Sequence, residues 1–501
     1  MRFSYVYFLF IVCFLPWGVG AQTYSPPLRL EIETPRFEYP FYIIPMAENG
    51  VALLYETDVI ENKKKKWSII LFDTNLQKVS NTDMWLEKDL RVEVVNSDNH
   101  QMFLCLQKNT RRSTIYNTYF IHYTLPQRKV NVYAVNIRDK EEVIDACFFG
   151  NYAYYTTLFN RNEDVFVLDL KTLVSRPLFP EIAQASMFQF FKPDTLTHTL
   201  WIASTYVKDK NASALVLTQL DTTAFRMQTH NIPFETDKRV NFCKLTVVDT
   251  SQLIVIGTYV DIKEASNIKN TETVNTGIFT LPIENGKPSE PRFFNFLLLN
   301  NQLDKNKMTP ENKKGVSLNL QLVIDEIAHN DSLLVFIGEV FYPEYRQEYA
   351  ANYGMYGYSS APTTVFAGYR YQTAYVLTFA KTGELLWNTQ IQYNDILVKS
   401  LRNVLHAYID ENQNVLLYYG MGDFVNSMIL NNKNIVQSSE SISLELLSPN
   451  DKLTANYSST CKHWYGEYFI FHGYQTITGL KSNQKRNRKR DVLFINKLVY
   501  R

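Results

Sequence analysis

The sequence predicts an all-β protein folded as a single β-propeller of four-stranded antiparallel blades. Aromatic residues make up 14% of the chain, with 33 Tyr and 32 Phe, and these residues favour strands together with Val, Ile and Thr. Short alternating or apolar runs recur between clusters of Asn, Asp, Gly and Lys, which is the strand pattern. The compact runs group into units of about 45 to 50 residues, the size of one propeller blade.

The N-terminal segment has the pattern of a secretory signal peptide. Arg2 precedes a short apolar run, and the small residues Val19 and Ala21 fit a cleavage site after Ala21. We therefore predict residues 1–21 as signal peptide and 22–501 as the exported domain, with a retained signal anchor as the alternative. No later segment approaches 18 consecutive apolar residues, so none is predicted to span a membrane. The expected location is the periplasm or the outer membrane, or else the extracellular space.

The blade units follow one another along the chain, beginning near residues 41, 90, 141, 185, 240, 320, 400 and 458. The last unit offers three strands, and a spare strand at 28–34 precedes the first unit. Such a strand can complete the last blade, which closes the ring and removes exposed sheet edges. This count predicts eight blades. Seven is the alternative, because the unit at 185–235 is the weakest, and two β-sandwich domains are a competing architecture that no linker supports.

One blade motif resembles a known superfamily. In "AKTGELLW", residues 380–387, a Gly turn at Gly383 leads into a strand that ends at Trp387. This looks like the motif of PQQ-like and WD40-like β-propellers, and the chain resembles uncharacterised secreted propellers of Bacteroidota. The resemblance implies a fold and an exported location but no activity. A quinoprotein would show the Trp motif in most blades and an adjacent Cys pair, so we predict no PQQ and no other cofactor.

Cationic residues concentrate in three predicted B–C loops, the loops that join the second and third strands of a blade. These loops are 60–66, 107–117 and 481–490. If the ring closes, they belong to consecutive blades and form a basic arc on one face. The candidate binding residues in them are Lys63, Lys64, Lys65, Lys66, Arg111, Arg112, Lys485, Arg486, Arg488, Lys489 and Arg490. The alternative interpretation is that these charges only keep exposed loops solvated.

A Tyr-rich insertion is predicted as a loop at 341–372, again between the second and third strands of a blade. Tyr offers a large amphipathic surface with few rotamers, so it is common in binding loops. The candidate contacts are Tyr342, Tyr345, Tyr349, Tyr353, Tyr356, Tyr358, Tyr369 and Tyr371. The alternative is an extra hairpin whose tyrosines cover the neighbouring blade.

The sequence carries weak signals for chemistry. The carboxylates Glu141, Glu142, Asp145, Asp325 and Glu326 fall in first strands, where they could face the central channel as a glycosidase pair does. Sialidase boxes, nucleophile elbows, P-loops and zincin motifs are absent from the sequence, and we predict no catalytic residues.

The thiols and histidines are also predicted to be structural. Cys461, His463 and His472 lack the paired spacing of zinc ligands, so no metal site is predicted. The four cysteines after residue 21 are Cys105, Cys147, Cys243 and Cys461. They fit buried thiols, with a Cys105–Cys147 disulfide as the alternative.

These observations predict a non-enzymatic binding or scaffold protein of the cell envelope. Its partner would be another envelope protein or an anionic surface polymer, such as lipopolysaccharide or an acidic glycan. The net charge of +1 excludes a nucleic-acid binder that works through overall charge. A carbohydrate-active enzyme with channel carboxylates is the alternative, and a subunit of a secretion or gliding apparatus is a variant of the first reading.

Overall fold

The structure is a computed structural model, and it describes most of the chain. It describes residues 28–34, 41–108, 116–138, 141–160, 162–179, 186–209, 212–235, 237–249, 251–263, 274–299, 320–324, 327–354, 357–421, 424–432, 434–479 and 488–499. The predicted signal peptide lies outside these ranges. Within them, no helix has the length and apolar character needed to cross a membrane.

The described residues form eight antiparallel sheets, and each sheet is one blade. The spare strand predicted from the sequence is present as β1. The strands of the first half of the ring are β1 (Leu28–Glu33); β2 (Phe41–Pro45), β3 (Val51–Glu61), β4 (Lys64–Phe72) and β5 (Lys78–Glu87) in blade 1, with a 3-10 turn at Ala47–Asn49; β6 (Leu90–Ser97), β7 (Gln101–Lys108), β8 (Tyr116–Thr124) and β9 (Lys129–Ile137) in blade 2; β10 (Glu142–Phe149), β11 (Tyr152–Phe159), β12 (Asn162–Asp169) and β13 (Ser175–Pro177) in blade 3; and β14 (Ser186–Asp194), β15 (Thr199–Asp209), β16 (Ala212–Asp221) and β17 (Arg226–Pro233) in blade 4.

The second half of the ring has two irregular blades. Its elements are β18 (Lys238–Val247), β19 (Gln252–Asp261), β20 (Gly277–Glu284), β21 (Lys287–Pro288) and β22 (Arg292–Asn295) in blade 5, followed by helix α1 (Phe296–Leu299); β23 (Leu322–Ile324), β24 (Ala328–His329), β25 (Leu333–Gly354), β26 (Gly357–Ala380) and β27 (Leu385–Val398) in blade 6; β28 (Leu405–Ile409), β29 (Val415–Met421), β30 (Phe424–Asn431) and β31 (Asn434–Ser443) in blade 7; and β32 (Lys452–Tyr465), β33 (Tyr468–Gly479) and β34 (Arg488–Val499) in blade 8. In blade 5 both β21 and β22 pair with β20, so its outer strand is broken. In blade 6 the first strand is split into β23 and β24.

Ring closure follows the prediction. Strand β1 pairs with β34 over six residues, from Leu28 opposite Lys497 to Glu33 opposite Val492. It therefore supplies the outermost strand of blade 8, whose order is β32, β33, β34, β1. The eight-blade count is confirmed, and the doubtful unit at 185–235 is a complete blade.

The hydrophobic core lies between the blades. Each pair of successive blades shares one cluster of buried apolar side chains, from blades 1 and 2 around to blades 7 and 8. The cluster that joins blade 8 to blade 1 contains Leu53, Phe72, Trp464 and Ile495. Burying apolar surface in each interface stabilises the fold by about 25 cal/mol per Å². Closing the ring buries the last two exposed blade faces and so adds one more interface.

The four strands of each blade can be lettered A to D from the centre outwards. First strands of neighbouring blades approach one another, as β6 does with β10 and β10 with β14. The B-to-C connections and the ends of the D strands lie at the same end of each sheet, as Glu61, Lys64 and Glu87 show by their pairing in blade 1. We call this end of the ring the B–C face.

Candidate functional site

The B–C face of blade 1 carries the first basic run. Asn62 and Lys63 have φ values of 49° and 64°, so they form the two-residue turn of a β-hairpin whose central residues both have positive φ. Lys64 to Lys66 were predicted as loop residues, but they form the start of β4. Lys65 Nζ lies 3.0 Å from Glu56 Oε1, and Lys66 Nζ lies 2.6 Å from Asp83 Oδ2.

These ion pairs reduce the positive field of the run. Partial burial alone would raise the pKa of Asp83, but hydrogen bonds from Lys66 and Ser68 hold this pKa below its usual value. Lys64 is paired across the sheet with Glu61 and Glu87. Half-exposed ion pairs of this kind stabilise weakly, but they place a carboxylate next to each of these lysines.

The basic run of blade 8 is divided between solvent and the interior. Arg488 and Lys489 are exposed at the start of β34, whereas Arg490 is half-buried. Its guanidinium lies 3.1 Å from Glu31 Oε2 and also contacts Asp451. Lys485, Arg486, Arg111 and Arg112 lie outside the described residues.

Arg490 belongs to a buried ion cluster, which we call the closure cluster: Arg29, Glu31, Asp451 and Arg490. Arg29 Nε lies 2.7 Å from Glu31, and the side chains of Arg29, Glu31 and Asp451 are each at most 4% exposed. Burial lowers the pKa of Arg29, although Glu31 opposes this shift. The cluster joins β1 to β34 and to the link that enters blade 8. Arg490 is therefore bound to two carboxylates where the ring closes, and its part in ligand binding stays a prediction.

The runs nevertheless share one end of the ring. Gly479 pairs with Arg488 at the B–C end of blade 8, as Glu61 pairs with Lys64 in blade 1. The two blades are neighbours in the closed ring, and the backbone nitrogen of Phe41 donates a 3.1 Å hydrogen bond to the Tyr474 hydroxyl across their interface. Exposed Arg488 and Lys489 thus lie on the same face as the Lys63 turn.

The Tyr-rich insertion forms strands rather than a loop. Strands β25 and β26 continue past the blade as one hairpin, paired from Leu333 opposite Ala380 to Gly354 opposite Gly357. The third strand, β27, follows them only as far as Val398, which pairs with Tyr369. Beyond that point the described hairpin is a two-stranded ribbon of eleven residues, Glu344 to Gly354, in its first strand. At ~3.3 Å per residue this part of the strand is about 35 Å long.

Aromatic side chains cover one side of the ribbon base. Tyr345 lies opposite Phe366, with ring centroids 5.7 Å apart, and Phe366 lies 5.0 Å from Tyr369. Tyr369 in turn lies 5.5 Å from Phe341. We call these four residues the aromatic strip. Tyr345 is 60% and Phe366 is 41% exposed, so the outer part of the aromatic strip presents apolar area to solvent.

The predicted tyrosines take different positions. Tyr342 and Tyr345 are exposed, and Tyr369 is half-buried. Tyr371 is only 2% exposed, and its hydroxyl donates to the carbonyl of Arg402 in the link to blade 7; it is a packing residue and not a surface contact. Tyr349, Tyr353 and Tyr358 occupy paired ribbon positions, and Tyr356 lies outside the described residues. Phe341 and Phe366 were not predicted, because only the tyrosines of this Tyr-rich stretch were taken as candidates.

The predicted channel carboxylates that the structure describes differ in burial. Asp145 is half-buried, and burial raises its pKa to about 6 while Lys244 of blade 5 acts in the opposite direction. Glu141 is buried and Glu142 is exposed. Asp325 and Glu326 lie outside the described residues.

The four thiols are buried and unpaired, as the sequence analysis predicts, and the histidines near Cys461 differ in burial. Cys105, Cys147, Cys243 and Cys461 are free and buried, and burial raises the pKa of each thiol. His472 is buried, whereas His463 is half-buried and contacts the carbonyl of Gly466 at 2.8 Å. In the part of the chain that the structure describes, no three His, Cys, Asp or Glu side chains are grouped as a metal would need.

Sequence comparison identifies no relative: no protein-family model and no curated protein matches the chain. Structure comparison finds remote likenesses. The tricorn protease is 11% identical over 84% of this chain with a TM-score of 0.38, and this chain spans 36% of it. The β-propeller domain of the Trilobed protease from Pyrococcus furiosus is 10% identical, with 80% of this chain and 95% of that one covered and a TM-score of 0.35.

A eukaryotic initiation factor is 10% identical over 94% of this chain and 93% of its own, with a TM-score of 0.42. Likenesses of this size carry no argument about activity. The propeller assignment rests on the eight four-stranded sheets of the chain itself and on the strand that closes them.

Proposed function

We propose that this chain is a non-enzymatic binding propeller of the cell envelope, exported by its N-terminal segment, that holds a protein partner on its B–C face. The observation that carries the proposal is the ribbon of blade 6 with its aromatic strip. A two-stranded ribbon in water is only marginally stable by itself. Exposed aromatic side chains on such an element are typical of interaction surfaces. The partner would cover the strip and the ribbon edges.

A protein partner fits the charges better than an anionic polymer does. Lys65, Lys66 and Arg490 already have carboxylate partners. The carbohydrate-active enzyme stays an alternative, which would need a facing pair of carboxylates in the channel.

Site-specific photo-crosslinking tests the proposal. A photoreactive amino acid at Tyr345 should give a discrete crosslinked product in intact envelopes, whereas the same amino acid at Gln228, exposed on the outermost strand of blade 4, should not. As a second variant, residues 347–364 are replaced with Asn-Gly, which joins the paired Arg346 and Val365 by a two-residue turn. This variant keeps the aromatic strip and removes most of the ribbon edges, so it should fold and give less product. Equal products from Tyr345 and Gln228, or an undiminished product from the shortened variant, would overturn the proposal.

A further inference from the structure

The ribbon of blade 6 has one charged face and one uncharged face. Side chains alternate between the two faces of a strand, so the register of β25 with β26 gives each residue its face. The charged face carries Glu344, Arg346, Glu348 and Arg370. The other face, which we call the neutral face, carries Phe341, Pro343, Tyr345, Gln347, Pro362, Thr364, Phe366 and Tyr369. Residues 349–361, the rest of the hairpin, contain no Asp, Glu, Lys, Arg or His, so they add no charge to the neutral face.

The residues of the charged face bind one another. Arg370 Nη2 donates a 2.9 Å hydrogen bond to Glu344 Oε1, and its Nε contacts the same carboxylate. These hydrogen bonds lower the pKa of Glu344. Arg346 Nη2 lies 2.5 Å from Glu348 Oε1. A partner that covered these ion pairs would have to remove their water, which is costly for charged groups. The neutral face has no such cost, so binding there is favoured.

The neutral face continues the core that blades 6 and 7 share. Phe341 and Tyr369 pack against that cluster of buried side chains, and the rest of the aromatic strip continues outward from them. At the base of the strip, the hydroxyl of Tyr371 donates to the carbonyl of Arg402 in the link that enters blade 7. The neutral face is therefore turned toward blade 7, and the charged face is turned away from it.

Blade 7 has exposed apolar side chains beside the neutral face. Leu401 precedes Arg402 in the link and is 45% exposed. Phe424 begins β30 at the B–C end of blade 7 and is also 45% exposed. It lies on the same face of β30 as Met428, which packs against the core shared with blade 6. The neutral face and these two residues thus form the wall and the floor of an open corner, which we call the ribbon corner.

The wall of the ribbon corner is too small to hold a partner alone. Two strands spaced ~4.8 Å apart are about 10 Å wide, so a ribbon about 35 Å long offers about 350 Å² on one face. A stable protein–protein interface takes about 800 Å² from each partner, so a partner must also contact the floor. Two copies of the chain that packed ribbon on ribbon would bury only about 700 Å² in total, which is the size of a nonspecific contact.

We propose that a partner protein binds in the ribbon corner through an uncharged, apolar segment that packs between the ribbon and blade 7. Its contacts are Tyr345 and Phe366 on the wall and Leu401 and Phe424 on the floor. This inference rests on the proposed function, and it adds the face of the ribbon that is used, the second blade and the chemistry of the partner. An apolar segment fits because charged residues are depleted from the buried centre of protein interfaces.

Photo-crosslinking in intact envelopes tests which side of the ribbon the partner covers. The photoreactive amino acid at Leu401 or Phe424 of the full chain should give the same crosslinked product as it gives at Tyr345. Arg346, on the charged face, is the matched control within the ribbon. Val59, which is 52% exposed at the B–C end of blade 1, is the control for an exposed apolar residue. Both controls should give little or no product.

The crosslinked product also reports the chemistry of the partner. Mass spectrometry should locate the attachment of the Phe424 probe in a stretch that lacks Asp, Glu, Lys and Arg over about four residues, enough to span the ~10 Å width of the ribbon. Phe424→Ser removes apolar contact from the floor and should lower the yield of the Tyr345 product about fivefold or more. Val59→Ser, at a comparably exposed side chain, should leave that yield unchanged.

Other outcomes would overturn the proposal, and they separate it from the proposed function. Product from Arg346 that equals the product from Phe424, or no product from Leu401 and Phe424, would exclude the ribbon corner while the Tyr345 product keeps the proposed function. Attachment to a charged segment would exclude the apolar chemistry. A product of twice the mass of the chain would assign the corner to a second copy. Absence of product at Tyr345 would overturn both proposals.

Discussion

The indole Nε1 of Trp464 donates a 2.8 Å hydrogen bond to the backbone carbonyl of Gly50 and so joins the last blade directly to the first. Trp464 is 4% exposed. Gly50 has a φ of 109°, a conformation that favours glycine, and its Cα faces the carbonyl of Phe72 closely enough to leave no room for a Cβ. Ring closure thus depends on side chains as well as on strand pairing.

Replacing Trp464 with Phe should destabilise the ring. The change removes the hydrogen bond to Gly50 and leaves a small cavity, so the free energy of unfolding should fall by about 2 kcal/mol. Urea unfolding measures the change. Trp85→Phe, at a 38% exposed indole, is the control and should change it by less than about 0.5 kcal/mol. Equal effects of the two variants would contradict a specific role for Trp464.

Replacing Arg490 with Met should lower the free energy of unfolding more than is usual for an exposed residue of a basic run. The change leaves Glu31 and Asp451 buried without their shared cation, which should lower the free energy of unfolding by about 3–5 kcal/mol. Lys489→Met, one residue earlier and exposed, should lower it by less than about 0.5 kcal/mol. Guanidinium unfolding of both variants is the measurement, and a mild effect at Arg490 would show that the closure cluster is not coupled to folding.

Glu339 should make stability depend on pH. Its carboxylate is 1% exposed and accepts hydrogen bonds from Tyr393 at 2.6 Å and from the backbone of Leu405 at 2.7 Å. Burial raises the pKa of Glu339 to about 7, although these donors oppose the shift. A folded-state pKa above the unfolded value gives stability that is present below about pH 4.5 and is lost as pH rises to about 7.

The comparison with Glu339→Gln isolates this contribution, because the amide does not titrate. The wild-type chain should lose up to about 3 kcal/mol relative to the variant between pH 4.5 and 8. Unfolding free energies of both proteins across that range provide the test. If the wild type gains stability relative to the variant as pH rises, Glu339 is stabilised as an anion and the stated direction is wrong.

The four lysines of blade 1 should contribute unequally to polyanion binding. Lys65 and Lys66 have carboxylate partners, whereas Lys63 forms the turn. Lys63→Ser should therefore reduce the salt concentration that elutes the protein from heparin more than Lys65→Ser does. Absence of retention at physiological salt, in a full-length protein, would count against the basic arc as a polymer site.

The sequence was most informative where a pattern repeats. Seven four-strand units, an eighth with three strands and the spare strand at 28–34 could be predicted because short alternating or apolar runs recur at the spacing of a propeller blade. The ribbon was harder to predict as a pair of strands. Its sequence is rich in polar residues and glycine, which is the pattern of a loop. The ion pair of Arg490 could not be predicted, because its partner Glu31 is 459 residues away in sequence. Glu339 was missed for the same reason, since its partners Tyr393 and Leu405 are 54 and 66 residues away.

Pairing of Leu28 with Lys497 has a consequence for how the chain is made. A ribosome synthesises β1 before and β34 after the seven complete blades, so β1 must wait without its partner until those blades have emerged. Contacts of such long sequence separation form slowly, and an unpaired strand edge invites association with other chains meanwhile. A holding chaperone that covers residues 28–33 during synthesis would protect this chain more than it would a propeller whose first blade is complete.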